Sequence, residues 1–109
     1  MEIGIDIEEI ERIKKAHKKW GDRFLKRIFT KKEIEYCFRK KNPYPSLCGR
    51  FCSKEAIIKV FDAKITFLDI EILNTKSGKP EVFVKKHKTN ISLSISHSRR
   101  YATAVAIKP

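Results

Sequence analysis

The chain has 109 residues, enough for one domain with one modest core and too few for two. Its apolar content of 41% excludes a disordered tail, and 25 Lys and Arg against 13 Asp and Glu leave a net charge of +12. So large a positive field on so small a body calls for an acidic partner: nucleic acid, an anionic membrane, a phosphate-rich ligand or an acidic protein.

The opening Met1-Glu2-Ile3-Gly4-Ile5-Asp6 reads as a short strand, too acidic and too brief for a signal peptide. Asp6 with Glu9 three residues on has the spacing of a capping box. A basic amphipathic helix is expected from Ile7 to Trp20, with Ile10, Ile13 and Trp20 on its apolar side and Arg12, Lys14, Lys15, Lys18 and Lys19 opposite. Gly21 ends it. After an apolar cluster at Phe24, Leu25, Ile28 and Phe29, Thr30-Lys31-Lys32-Glu33 repeats the capping pattern and starts a helix through Phe38. Pro43 and Pro45 mark a break, and no apolar run approaches the ~20 residues of a membrane span.

Gly49 to Phe61 reads as a further helix, starting between Pro45 and Gly49, and apolar around most of its circumference. Yet it carries Arg50, Lys54, Glu55 and Lys59, and charges on a buried helix are costly unless something pairs with them. The three cysteines, Cys37, Cys48 and Cys52, are odd in number and form no CxxC pair. They argue against a disulfide framework and a zinc site, and fit reduced thiols in the cytoplasm. Beyond Asp62 the period changes to two. Strands are expected from Phe67 through Leu73, over Glu81–Val84, over Ile91–His97 and over Tyr101–Ile107, with a turn at Ser77-Gly78-Lys79-Pro80. The expected architecture is α+β, a single domain over 1–109 with N-terminal helices packed on an antiparallel β-meander.

Several residues admit two readings. Asp6 is an N-cap or a ligand of a hard cation at a strand-to-helix junction, and one oxygen could serve each role. Glu55 is half of an i,i+4 pair with Lys59, or a second carboxylate for Mg²⁺-assisted phosphoryl chemistry. Arg50 and Lys54 are surface charges near a helix start, or a fork and a point charge for a phosphate. His97 ends a strand with Ser96 and Ser98 beside it, structural or anion-binding. The basic helix could lie on nucleic acid, on a membrane or against an acidic protein.

Taken together, Gly4-Ile5-Asp6-Ile7, Glu9-Ile10-Glu11-Arg12-Ile13, Phe29-Thr30 with Glu33, Gly49-Arg50-Phe51, Lys54-Glu55-Ala56, Gly78-Lys79-Pro80, and Ser94-Ile95-Ser96-His97 with Tyr101-Ala102 resemble the small bacterial type of 4′-phosphopantetheinyl transferase, the holo-acyl-carrier-protein synthases. The resemblance spans nearly the whole chain. It implies an enzyme that moves the phosphopantetheine arm of coenzyme A onto a serine of apo acyl carrier protein, in fatty acid biosynthesis, and releases adenosine 3′,5′-bisphosphate. It implies Mg²⁺ on Asp6 and Glu55, Lys59 near the pyrophosphate, Arg50 and His97 at the nucleotide end with its 3′-phosphate, and Gly78-Lys79-Pro80 beside the adenine. It implies a homotrimer with sites at subunit interfaces, and the first helix as the carrier-binding surface. Arg12, Lys15, Lys18 and Lys19 are the expected docking residues. Two departures stand out: Phe61 to Phe67 is short and glycine-free where the family carries a longer glycine-containing loop, and Glu8 stands where an apolar residue is usual. A basic nucleic-acid-binding module and a Mg²⁺-dependent nuclease or phosphatase are the competing readings of the same charges.

Overall fold

The computed structural model describes all 109 residues, Met1–Pro109. It opens with a strand, β1 (Glu2–Glu9), followed by four helices: α1 (Ile10–Trp20), α2 (Asp22–Ile28), α3 (Lys31–Phe38) and α4 (Tyr44–Ile58). A 3₁₀ turn (Phe67–Asp69) then leads into β2 (Ile70–Asn74), β3 (Pro80–Val84), the short β4 (His87–Lys88), β5 (Ser92–His97) and β6 (Tyr101–Lys108). The α+β class expected from the sequence holds. The strands divide into two antiparallel three-stranded sheets, β1-β6-β5 and β2-β3-β4. No helix is long and apolar enough to cross a membrane.

The local sequence accounts for most boundaries. Thr30 caps α3 with the full reciprocal box, its hydroxyl accepting from the Glu33 N–H while Glu33 Oε1 accepts from the Thr30 N–H. Gly21, at φ 63°, closes α1 and opens α2. Three expectations are corrected. Asp6 caps nothing: β1 runs through it to Glu9, paired in register with Ala104 of β6, and α1 starts only at Ile10. Eight paired residues outweigh one capping signal when the C-terminal strand is there to pair with. The run from Phe67 is not strand from its start, because Asp69 accepts from the Thr66 N–H and winds the first residues into a 3₁₀ turn. The central helix begins at Tyr44, with Pro45 in its first turn, and ends at Ile58.

Sheet β1-β6-β5 lays its inner face on α4. Small residues allow the approach: Ala102, Ala104 and Ala106 of β6 are buried there, and Gly4 of β1 faces the Ala56 carbonyl. A Cβ on Gly4 would meet that oxygen at 2.0 Å, a backbone atom with no room to move, so β1 depends on glycine here. Strand alternation then sorts the rest of β1. Gly4, Asp6 and Glu8 point inward, while Ile3, Ile5 and Ile7 point outward and are 66%, 59% and 63% exposed. Opposite them on β6 the outward row is Ile107, Val105 and Thr103.

Candidate functional site

The charges of α4 part company once the helix is packed. Lys54 is fully buried, with Glu33 Oε1 at 2.7 Å and the carbonyl oxygens of Ile28 and Phe67 at 2.7 and 3.0 Å. An ammonium has three protons, and here all three are donated. Burial pulls its pKa down while Glu33 pushes it back up. Glu33 in turn accepts from the Thr30 and Ile72 N–H groups, so the pair ties α3, α4 and β2 together. Lys54 therefore has no proton left to grip a phosphate, and its expected place at the nucleotide is corrected to a structural one.

Lys59, one residue beyond the helix, goes the other way. Its Nζ donates to the Ile5 carbonyl at 2.6 Å and lies 3.7 Å from Asp6 Oδ1, with about half of its side chain exposed. The i,i+4 pair with Glu55 does not form, because Lys59 reaches across to β1. Asp6 Oδ2 is buried without a hydrogen-bond partner. Burial and then the Asp6 charge raise the pKa of Glu55, with Lys59 opposing. Glu8 is raised in the same way by burial and Asp6, with Arg12 opposing. Three carboxylates therefore face one region, balanced in part by the half-exposed Lys59 beside Asp6 and the exposed Arg12 on Glu8. Glu8 is a member the motif reading missed as a site residue. Its signal was the strand period, since Asp6 and Glu8 are two apart on one face.

These groups fit a hard divalent cation. Burial leaves a carboxylate oxygen unsatisfied, and the neighbouring carboxylates repel each other, which a cation would reverse. No ready-made cage of three or more His, Cys, Asp or Glu ligands is present. Mg²⁺ asks for less, binding through one or two carboxylates with the remaining positions taken by water and substrate oxygens.

A second region lies along the same helix. A cavity of about 320 Å³ is lined by Arg50, His97, Lys40, Tyr36, Asn74, Gly78 and Pro80, among others. Arg50 is buried, stacked on the Tyr36 ring at 4.4 Å, and its Nη2 donates to Asn74 and to the Ile72 carbonyl. Its Nε is buried without a partner. Asn74 passes the contact on, donating from Nδ2 to the Gly78 carbonyl at 2.9 Å, so the turn is moored to the arginine. Gly78, at φ 91°, has the left-handed conformation that this turn needs. Lys79 stands exposed at the turn and is not part of the cavity wall. Asn74 and Tyr36 escaped the sequence reading. Asn74 was visible only as a turn residue, and nothing in the spacing of Tyr36 sets it apart. His97 aligns with Glu8 across the sheet, both opposite Ala102, so about 10 Å, two strand spacings, separate cavity and carboxylates. Five residues of α4, about 7.5 Å of rise, separate Arg50 from Glu55. An extended polyanion with a metal-binding end would fill both.

A third feature is the basic surface of α1. Arg12, Lys15, Ala16 and Lys19 fall within about 100° of one another, with Lys18 further round. Beside them Ala16, Trp20, Arg23, Phe24 and Arg27 line a groove of about 460 Å³, and Trp20 is 57% exposed. An apolar groove rimmed by cations suits an acidic amphipathic partner.

The chain is similar to known proteins along nearly its whole length. The model of the 4′-phosphopantetheinyl transferase superfamily matches residues 2–106. The holo-acyl-carrier-protein synthase of Thermodesulfovibrio yellowstonii is 42% identical over 107 residues, covering 96% of this chain and 95% of its own. That of Chlamydia trachomatis serovar L2 is 48% identical over 115 residues, covering 96% of each. Among solved structures, Helicobacter pylori holo-acyl-carrier-protein synthase in complex with coenzyme A superposes with a TM-score of 0.85 at 34% identity, over 97% of this chain and 98% of that one. The Bacillus anthracis enzyme in complex with CoA (3′,5′-ADP) gives 0.82 at 36% identity, over 95% and 91%.

Proposed function

We propose, for a chain that belongs to the 4′-phosphopantetheinyl transferase superfamily and within it to the holo-acyl-carrier-protein synthases, that Asp6, Glu55 and Lys59 form the reacting end of its site, with Arg50 and His97 at the nucleotide end. The enzyme transfers the 4′-phosphopantetheine arm of coenzyme A to apo acyl carrier protein. Neither a nucleic-acid module nor a nuclease is favoured by the matches. The observation that carries the assignment is the unsatisfied Asp6 Oδ2, buried near Glu55 and one strand-face step from Glu8, with Lys59 alongside.

Asp6 and Glu55 are the residues that would hold Mg²⁺, which when bound neutralises negative charge growing on the pyrophosphate. The carrier serine oxygen forms a bond to the phosphorus bearing pantetheine, and the bond from that phosphorus to the bridging oxygen breaks. The serine proton passes to a carboxylate, Asp6 or Glu55, and adenosine 3′,5′-bisphosphate departs with the bridging oxygen. Lys59, with a proton not committed to a strong acceptor, stabilises that oxygen. The cavity at Arg50, Lys40 and His97 supplies cationic and hydrogen-bonding side chains for the nucleotide phosphates, and the turn at Gly78-Lys79-Pro80, moored by Asn74, borders the adenine. Arg12, Lys15, Lys18 and Lys19, with the groove at Trp20, dock the acidic carrier, so docking weakens with salt. The outward row of Ile3, Ile5 and Ile7 supports a contact with another copy of the chain, since apolar rows this exposed mark contact surfaces, and a homotrimer with sites at its subunit interfaces is the assembly that the family resemblance implies.

Mass spectrometry of an apo carrier protein incubated with coenzyme A, Mg²⁺ and this protein tests the reading. The carrier gains a phosphopantetheine, and the Asp6→Asn and Glu55→Gln proteins add it about a hundredfold or more slowly. A carrier unchanged by the native protein overturns the reading. Light scattering on the native protein and on Ile5→Lys tests the trimer; equal masses for the two would remove β1 from the interface.

A further inference from the structure

Glu8 joins two regions that are otherwise separate. Along β1 it is two residues from Asp6 on the inner face, in the field of that carboxylate's charge. Toward α1, its Oε1 accepts from Arg12 Nη1 at 3.3 Å. The Arg12 side chain is 72% exposed and that of Glu8 only 18%, so a mostly buried carboxylate is balanced by a cation standing in solvent. Such a pair is weak, and an arriving carboxylate can exchange for it. Among the docking cations Arg12 is the one ion-paired to these carboxylates, so an acidic partner on the α1 face that engages Arg12 acts directly on Glu8. Once Arg12 has turned to the partner, Glu8 loses its counter-charge while Asp6 and Glu55 remain close by. A cation at Asp6 and Glu55 is then the nearest positive charge left for Glu8, apart from Lys59, which is already turned to Asp6 and the Ile5 carbonyl.

We propose that Glu8 is a positioning residue that couples carrier docking to cation binding: an acidic side chain of the carrier takes Arg12, and the released Glu8 carboxylate adds its charge to Asp6 and Glu55 at the cation. Two arrangements define the coupling. At rest Glu8 pairs with Arg12; in the docked state Arg12 pairs with the carrier and Glu8 faces the cation. Linkage requires the effect to be mutual, so a carrier that tightens the cation is itself tightened by the cation, by the same factor. The inference rests on the reading of Arg12 as a docking residue.

The test uses the enzyme with coenzyme A bound and an apo carrier whose acceptor serine is replaced by alanine, so that nothing is transferred. Mn²⁺ is the probe, and its affinity is read by electron paramagnetic resonance with and without the carrier. In the native protein the carrier tightens Mn²⁺ about two- to fivefold, the range set by the strength of an exposed ion pair, and Mn²⁺ tightens the carrier equally. In Glu8→Gln, which keeps the side chain's shape, both factors fall to one while carrier affinity stays at or above the native value. Arg12→Ala weakens the carrier. Coupling that survives in Glu8→Gln, with Arg12→Ala still weakening the carrier, overturns the inference and leaves the docking reading standing. Carrier affinity unchanged in Arg12→Ala overturns both.

Discussion

Lys54 and Lys59 leave the same helical segment five residues apart and end in opposite situations. Lys54 is enclosed, and every proton it carries has an acceptor. Lys59 is half exposed, with one backbone acceptor and a loose approach to Asp6. A charge survives burial only where its surroundings complete it, and a completed charge has nothing left for a ligand. The acids divide in the same way. Glu33 has a partner for each oxygen, whereas Asp6 keeps one buried oxygen with none. Completeness of partners, more than burial or residue type, separates the charges that hold this fold from those that can act.

The largest expected effect falls on the completed pair. Lys54→Ala would leave Glu33 buried without its cation and strip the donor from the Ile28 and Phe67 carbonyls. The expected loss is about 3–5 kcal/mol, a large fraction of the ~5–15 kcal/mol that holds a typical domain. Urea denaturation measures it, and a loss below about 1 kcal/mol would put Lys54 among ordinary surface charges. Asp6→Asn should do the reverse. Transfer falls about 10²–10³-fold, as when one charge-stabilising group is lost from a reacting centre. Stability without metal holds or rises, because Glu8 and Glu55 each lose a repelling neighbour. An Asp6→Asn protein that unfolds more readily would make Asp6 structural.

Much of this contrast could be read in the sequence, up to a definite point. The capping box at Thr30, the break at Pro43 and the alternation of β5 are local signals, and each is where it was expected. The motif order placed Asp6, Glu55 and Lys59 in one site, and the fold brings Asp6 next to Lys59 and into the field of Glu55. Two things were beyond local reasoning. The pairing of β1 with β6 joins the two ends of the chain, so the capping reading of Asp6 stayed open until its partner strand was in view. The fate of Lys54 depended on Glu33, 21 positions earlier and itself assigned to a cap. Glu33 both caps and pairs, and spacing reveals only the first. Tyr36 and Asn74 reach Arg50 from two further elements for the same non-local reason.

Lys59→Ala sharpens the contrast from the other side. Transfer should fall about a hundredfold, the low end of the range for one donor at a reacting centre, since solvent can partly replace a half-exposed lysine. Stability should fall by no more than about 1 kcal/mol, because Lys59 is half exposed and its approach to Asp6 is a loose 3.7 Å. Steady-state kinetics beside thermal denaturation reads both. A destabilisation matching that of Lys54→Ala would erase the distinction between the two lysines.

The smallest effect is a pH dependence, and its sign tests whether the acid cluster is incomplete at rest. Glu8 and Glu55 have pKa values raised above the ordinary 4.5 by burial and by Asp6, with Arg12 and Lys59 only partly opposing. The folded protein therefore holds protons that the unfolded chain has already released. The stability these groups contribute is full below pH 4.5 and is lost as pH rises from there through the raised values. Without divalent cations, the melting temperature of the native protein should fall relative to that of Glu55→Gln across this window. The fall is small because both carboxylates keep contact with water. Adding Mg²⁺ with coenzyme A should remove it, since a bound cation favours the charged forms. A native protein that gains on Glu55→Gln as pH rises would mean that Lys59 already balances the cluster. Asp6, Glu8 and Glu55 would then be as complete as Lys54 and Glu33, with no electrostatic demand for a metal.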